Sequence, residues 1–130
     1  MHADDLLALM PFALASGVEL DAAAAAEVRG RLAWAPERCT AGGRMHGGAL
    51  MTLADSVGAV CAFLNLPPGA STSTVSSTTS LVRGLRSGTA HAVARPTHVG
   101  RSFVLVNVEI TDDDGRLLAQ TTQTQAVLRT

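Results

Sequence analysis

Residues 45–66, MHGGALMTLADSVGAVCAFLNL, run for 22 positions with a single carboxylate, Asp55, and no Lys or Arg. Pro67, Pro68 and Gly69 stop the run, and its length and composition predict a helix of about five turns. So apolar a segment belongs either in a bilayer or inside a domain. Asp55 at its centre would cost about 2.5 to 3.5 kcal/mol on insertion. Gly48, Thr52, Ser56, Gly58 and Asn65 add further polarity, so the segment reads as a core helix and not as a membrane span. Projected at about 100° per residue, Leu50, Leu53, Val57, Val60 and Leu64 form one apolar stripe. Gly48, Met51, Thr52, Asp55, Gly58, Ala59 and Ala62 lie opposite. A surface helix would carry several charges on that side. This one is therefore expected to be covered on both faces, with Asp55 in a groove of small residues where a second subunit, a ligand or both come close.

The rest of the chain supplies strands. Val28, Gly30, Leu32 and Trp34 alternate with Arg29, Arg31, Ala33 and Ala35, predicting a strand over 26–35. A shorter strand is expected at 18–20, ahead of an Ala22–Ala26 run whose helix propensity its neighbours contradict. After the Pro-Pro-Gly turn come four extended stretches at 74–82, 89–99, 103–111 and 117–128. The first is Ser/Thr-rich and is read as a polar strand with a disordered entry at 69–72. Asp112, Asp113, Asp114 and Gly115 form a hairpin turn between the last two stretches. At the N-terminus Asp4 is expected to cap a short helix that docks Leu6, Leu7, Leu9 and Met10, within a helical segment over 1–14. The acidic flank, Asp4 and Asp5, is wrong for a signal peptide, and the expectation is a cytoplasmic protein. A single long helix buries two faces only if the sheet curls around it. The expected fold is thus α+β: one domain over 1–130, a long central helix wrapped by a curved antiparallel sheet.

Composition narrows the partners. The 130 residues carry 10 Lys+Arg against 11 Asp+Glu, a formal net charge of −1, which gives no field to gather nucleic acid. All ten basic residues are Arg, so an anion must be met by Arg or by backbone N–H. Cys39 and Cys61 lack metal or redox spacing and read as reduced thiols. His46, His91 and His98 show no metal-binding spacing, and there is no GxSxG elbow for a serine hydrolase; no metal or cofactor is expected.

What remains is the start of the long helix. His46, Gly47 and Gly48 stand where backbone N–H groups lack helical partners and the dipole is positive. Two glycines let a ligand oxygen approach the backbone. Asp55 lies nearly two turns on, about 10 Å away, too far for one carbonyl to touch both. If two helices lie antiparallel across a two-fold axis, Asp55 of one subunit approaches Gly47 of the other.

The stretch Gly43-Arg44-Met45-His46-Gly47-Gly48-Ala49-Leu50-Met51-Thr52-Leu53-Ala54-Asp55 resembles the HGG…LAD signature of hot-dog-fold thioesterases, the PaaI-like group of the 4-hydroxybenzoyl-CoA thioesterase superfamily. Val99-Gly100-Arg101-Ser102 and the hairpin from Glu109 to Ala119 fit the same pattern. The resemblance implies an acyl-CoA thioesterase acting on a medium-chain or aromatic acyl-CoA, with active sites shared across a homodimer and dimers pairing into a tetramer. It implies that Gly47 N–H polarises the thioester carbonyl with help from Gly48, that Asp55 is general base or nucleophile, and that His46 positions the thioester. Arg101 and Ser102 would contact the CoA phosphates or pantetheine arm, and Arg83 is a further phosphate candidate. Ser77 would offer a hydroxyl to the pocket. Two positions depart from the pattern: Thr40 stands where many members carry Asn or Gln to hold the water, and Ala59 where some carry Thr or Ser. A non-catalytic acyl-CoA-binding module and a hot-dog hydratase or dehydratase are the alternatives.

Overall fold

The computed structural model describes residues 2–129. Two short helices, α1 (Ala3–Ala8) and α2 (Pro11–Ser16), precede β1 (Glu19–Ala24) and β2 (Glu27–Ala33). A 3-10 turn at Pro36–Arg38 and a loop lead to α3 (Gly47–Leu64), followed by β3 (Ser71–Leu81), β4 (Thr89–Val99), β5 (Phe103–Thr111) and β6 (Leu117–Leu128). The six strands form one antiparallel sheet in the order β1-β2-β4-β5-β6-β3. The sheet curls around α3, which packs against every strand.

The predicted apolar stripe is what the sheet receives. Leu50, Leu53, Val57 and Val60 are buried against Val28, Leu32, Val104, Val106, Val108 and Ile110. Ala90, Ala92 and Ala94 on β4 are buried in the same core and let the helix approach closely. Gly30 of β2 does the same, since an added Cβ there would stand 2.8 Å from Val57 Cγ2. Helix α3 is long and apolar enough to cross a membrane, but half of it is buried within the domain, so its apolarity serves the core.

Several expectations are corrected. Helix α3 begins at Gly47, two residues later than its apolar run, because His46 adopts extended backbone and caps it. Asp4 lies in the first turn of α1, whose cap is His2. As a first-turn acid it complements the helix dipole, and no side chain among the described residues caps the orphan N–H groups. Leu6 and Leu7 are buried as expected, but Leu9 is 62% exposed, since a six-residue helix has room for only one inward pair. The strand expected at 18–20 runs instead over Glu19–Ala24, so the Ala22–Ala26 run is strand through Ala24 and then turn, ladder pairing with β2 outweighing the helix propensity that its neighbours already contradict. Strand β3 is ordered from Ser71, with Ser71 paired to Leu128 and Thr72 to Val127 of β6, so no disordered entry reaches Ser71 or Thr72. Within one chain the far side of α3 is partly covered, with Gly58 and Ala62 buried and Met51, Asp55 and Phe63 exposed, which leaves the groove around Asp55 open to the second subunit or ligand expected there.

Candidate functional site

The start of α3 is held by a compact set of bonds. His46 N–H donates to Arg38 O, Met45 N–H to Leu85 O and Thr40 N–H to Arg44 O, all at 2.8 Å. The His46 ring then turns back, and its Nδ1 accepts from Gly48 N–H at 2.8 Å, an N-cap made by imidazole. That bond requires the tautomer with the proton on Nε2. It also separates the two glycines. Gly48 N–H is taken by the cap, so it does not join Gly47 as a second free donor. Gly47 N–H has no acceptor among the described residues and opens beside a cavity of about 190 Å³ lined by Thr40, Arg44, Leu81 and Arg83.

Asp55 is exposed on the open side of α3. Its Oδ1 accepts from Gln123 Nε2 and from Thr74 Oγ1 at 3.3 Å, while Oδ2 meets no protein donor among the described residues. Thr74 in turn accepts from Gln125 Nε2 at 2.7 Å, and Gln125 Oε1 accepts from Thr72 Oγ1 at 3.1 Å. A polar ladder thus runs across β3 and β6 beneath the acid. A bulge at Val75 creates it. The register jumps between Thr74 and Ser76, so Thr74 faces Gln125 and Ser77 faces Gln123 on the same side of the sheet. Ser77 lines a cavity of about 270 Å³ with Phe12, Met51, Thr52, Asp55 and Ser56.

The other expected residues fall in two places. Arg83 lines both the Gly47 cavity and a groove of about 460 Å³ that also holds Arg44, Arg86 and Arg116 together with Asp112, Asp113 and Asp114. Arg116 there is paired with Asp112 at 2.9 Å, leaving Arg44, Arg83 and Arg86 without carboxylate partners among the described residues. Arg101 and Ser102 lie in the exposed β4–β5 turn, near Val127 at the opposite end of the sheet from Leu81 and Gly47. One chain therefore does not bring Arg101 and Ser102 to Gly47. Cys61 is a free buried thiol whose burial pushes its pKa up to about 11, and Cys39 is also free.

Thr74, Gln123 and Gln125 carry no motif that marks them in the sequence. The available signal is the period-2 set Ala119, Thr121, Gln123, Gln125 on β6, all buried. It is masked by equally polar Gln120, Thr122 and Thr124 on the other face.

Residues 42–119, which contain the helix, its cap and Asp55, match the thioesterase superfamily. The chain is 33% identical over 86 residues to the 1,4-dihydroxy-2-naphthoyl-CoA hydrolase of Escherichia coli, covering 66% of this chain and 63% of that one. It is 31% identical over 114 residues to a protein of Mycobacterium tuberculosis, covering 85% and 81%. Against four of its curated relatives, the chain spans between 47% and 63% of their length. A mutant thioesterase from Pseudomonas aeruginosa superposes with a TM-score of 0.93 at 25% identity, over 100% of this chain and 96% of that one. The curled six-strand sheet around one helix is thus the hot-dog fold, and with the match spanning more than half of its residues, including the HGG turn and Asp55, this chain belongs to the thioesterase superfamily.

Proposed function

We propose that the protein is a cytoplasmic acyl-CoA thioesterase that hydrolyses a medium-chain or aromatic acyl-CoA to the free acid and CoA. The observation that carries this reading is Asp55, the one carboxylate on α3, held through Oδ1 with Oδ2 unclaimed among the described residues. It shares its helix with an unclaimed N–H at Gly47, and a thioester carbonyl oxygen is the acceptor that such an N–H polarises.

The two groups are two turns apart within one chain, so the site is completed by a second copy. Strand β3 is an open edge of 11 residues, ready to pair with another strand. Antiparallel pairing of two β3 edges sets the Ser71 end of one copy beside the Leu81 end of the other. Asp55 of one copy then approaches Gly47 of the other, and Arg101 and Ser102 approach the other copy's Arg83. The homodimer holds two such sites, and pairs of dimers form a tetramer. Arg44, Arg83 and Arg86 supply cations for the CoA phosphates. The cavity with Phe12 and Met51 receives the acyl group; the name of the Escherichia coli relative supports an aromatic one.

In the reaction, Gly47 N–H binds the carbonyl oxygen as it gains charge. Asp55 Oδ2 either takes a proton from water as that water attacks the carbonyl carbon, or attacks that carbon itself to give an anhydride that water then cleaves. With Asp55 as base, the C–S bond breaks as the tetrahedral intermediate collapses and the CoA thiolate takes the proton held by Asp55; with Asp55 as nucleophile, the C–S bond breaks as the anhydride forms, and the water that later cleaves the anhydride supplies the proton that makes the thiol. The test is thiol release from short, medium, long and aryl acyl-CoAs with wild type and Asp55→Ala. The variant is expected to keep its oligomeric state and lose about 10²- to 10⁴-fold in kcat. Full activity in the variant refutes the assignment, and no release from any ester by the wild type refutes the thioesterase reading.

A further inference from the structure

We propose that Gln123 is a positioning residue for Asp55: with Thr74 it binds Oδ1, fixes the plane of the carboxylate, and leaves Oδ2 as the reacting oxygen. This deepens the thioesterase reading and rests on it.

Gln123 is completely buried, and its Oε1 has no hydrogen-bond partner among the described residues. A buried carbonyl without a partner destabilises the fold, so filling space does not account for this side chain; Leu or Met would fill the position without that cost. Flipping the amide does not relieve it, because Oε1 would then face the Asp55 carboxylate, oxygen against oxygen. The Nε2 contact with Asp55 is what the side chain gains in exchange.

The helix is shaped for this contact. Gly58, one turn beyond Asp55, is the residue that Gln123 crosses, and an added Cβ there would lie 2.1 Å from Gln123 Oε1. Ala59 has no polar atom to offer the acid, so both donors come from the sheet. Thr74 is aimed by the residue behind it. Its oxygen accepts from Gln125 Nε2, which leaves the hydroxyl proton to point at Asp55 Oδ1. Both donors are neutral. They orient the carboxylate without adding the opposing charge that an Arg or Lys would bring.

The decisive variant is Gln123→Met, which matches the length and volume of Gln but has no donor. It is compared with wild type and Asp55→Ala in thiol release, thermal unfolding and the side-chain amide region of the 1H–15N spectrum. The expected result is a fall in kcat of about tenfold or more, KM within about twofold, and a melting temperature no lower than wild type, since the unpaired carbonyl is gone. A space-filling role predicts the opposite pattern, with kcat unchanged. Wild-type kcat in Gln123→Met alongside an inactive Asp55→Ala overturns the proposal while leaving the thioesterase reading standing. If wild type releases no thiol, that reading falls, and if Gln123→Met does not assemble, its kinetics are moot. In either case the Gln123 amide protons decide: a shift on Asp55→Ala supports the contact, and unmoved signals overturn it.

Discussion

Gly58→Ala is a substitution that ordinary helix energetics would favour. Replacing an interior helical glycine by alanine gains about 1 kcal/mol of propensity. Here the new Cβ would stand 2.1 Å from Gln123 Oε1 and 3.2 Å from Gln123 Cδ, with Val108 Cγ2 at an unobjectionable 3.4 Å. Only Gln123 must move, and it is both buried and bonded to Asp55. Overpacking of a filled core costs about 1 to 3 kcal/mol. The balance is therefore a destabilisation of about 0 to 2 kcal/mol in the wild-type background.

In a Gln123→Ala background the obstacle is gone, and the same substitution is expected to stabilise by about 1 kcal/mol. The coupling between the two positions is then about 1 to 3 kcal/mol, and the sign of the Gly58→Ala effect reverses. Urea unfolding of the four proteins at one protein concentration measures it, read from the midpoints at constant slope. Agreement of the two Gly58→Ala effects to within about 0.5 kcal/mol would refute the steric reasoning. The same substitution should lower kcat in the wild-type background, because Gln123 can avoid the methyl only by leaving Asp55.

Two further outcomes follow from the geometry. Gly47→Ala places a Cβ 2.6 Å from Leu81 Cδ1, the end of an exposed and flexible side chain, so the fold is expected to survive while the displaced N–H costs roughly tenfold or more in kcat; steady-state kinetics with circular dichroism separate the two. Asp112 is held below the usual carboxylate range first by the Arg116 backbone N–H, then by the Arg116 side chain and the Asp114 N–H; its stabilising contribution is complete above the unfolded-state value of about 4 and is lost as pH falls through the lower folded value, so Asp112→Asn should flatten the acid limb of a Tm-against-pH series.

Half of the candidate site is legible in sequence because it is contiguous. His46, Gly47 and Asp55 share one helix, where the missing charges and the two glycines announce a backbone open to a ligand and an acid in need of a partner. The strands over 89–111 are legible for a related reason: Val106, Val108 and Ile110 are buried while Asn107 is half-buried and Glu109 exposed, and hydropathy reports that directly. The other half of the site is built from Thr72, Thr74, Gln123 and Gln125, in strands polar on both faces. No hydropathy period tells inward Gln123 from outward Thr122, and the bulge at Val75 shifts the phase of β3 between Thr74 and Ser77. Even so, one residue on the legible helix carried the information. Gly58 is a poor helix former at a buried position, and what requires it is a polar side chain lying across the helix from the sheet. A helical glycine next to a lone buried-segment acid is thus a place to look for the donor that holds the acid, and in this chain that donor is Gln123.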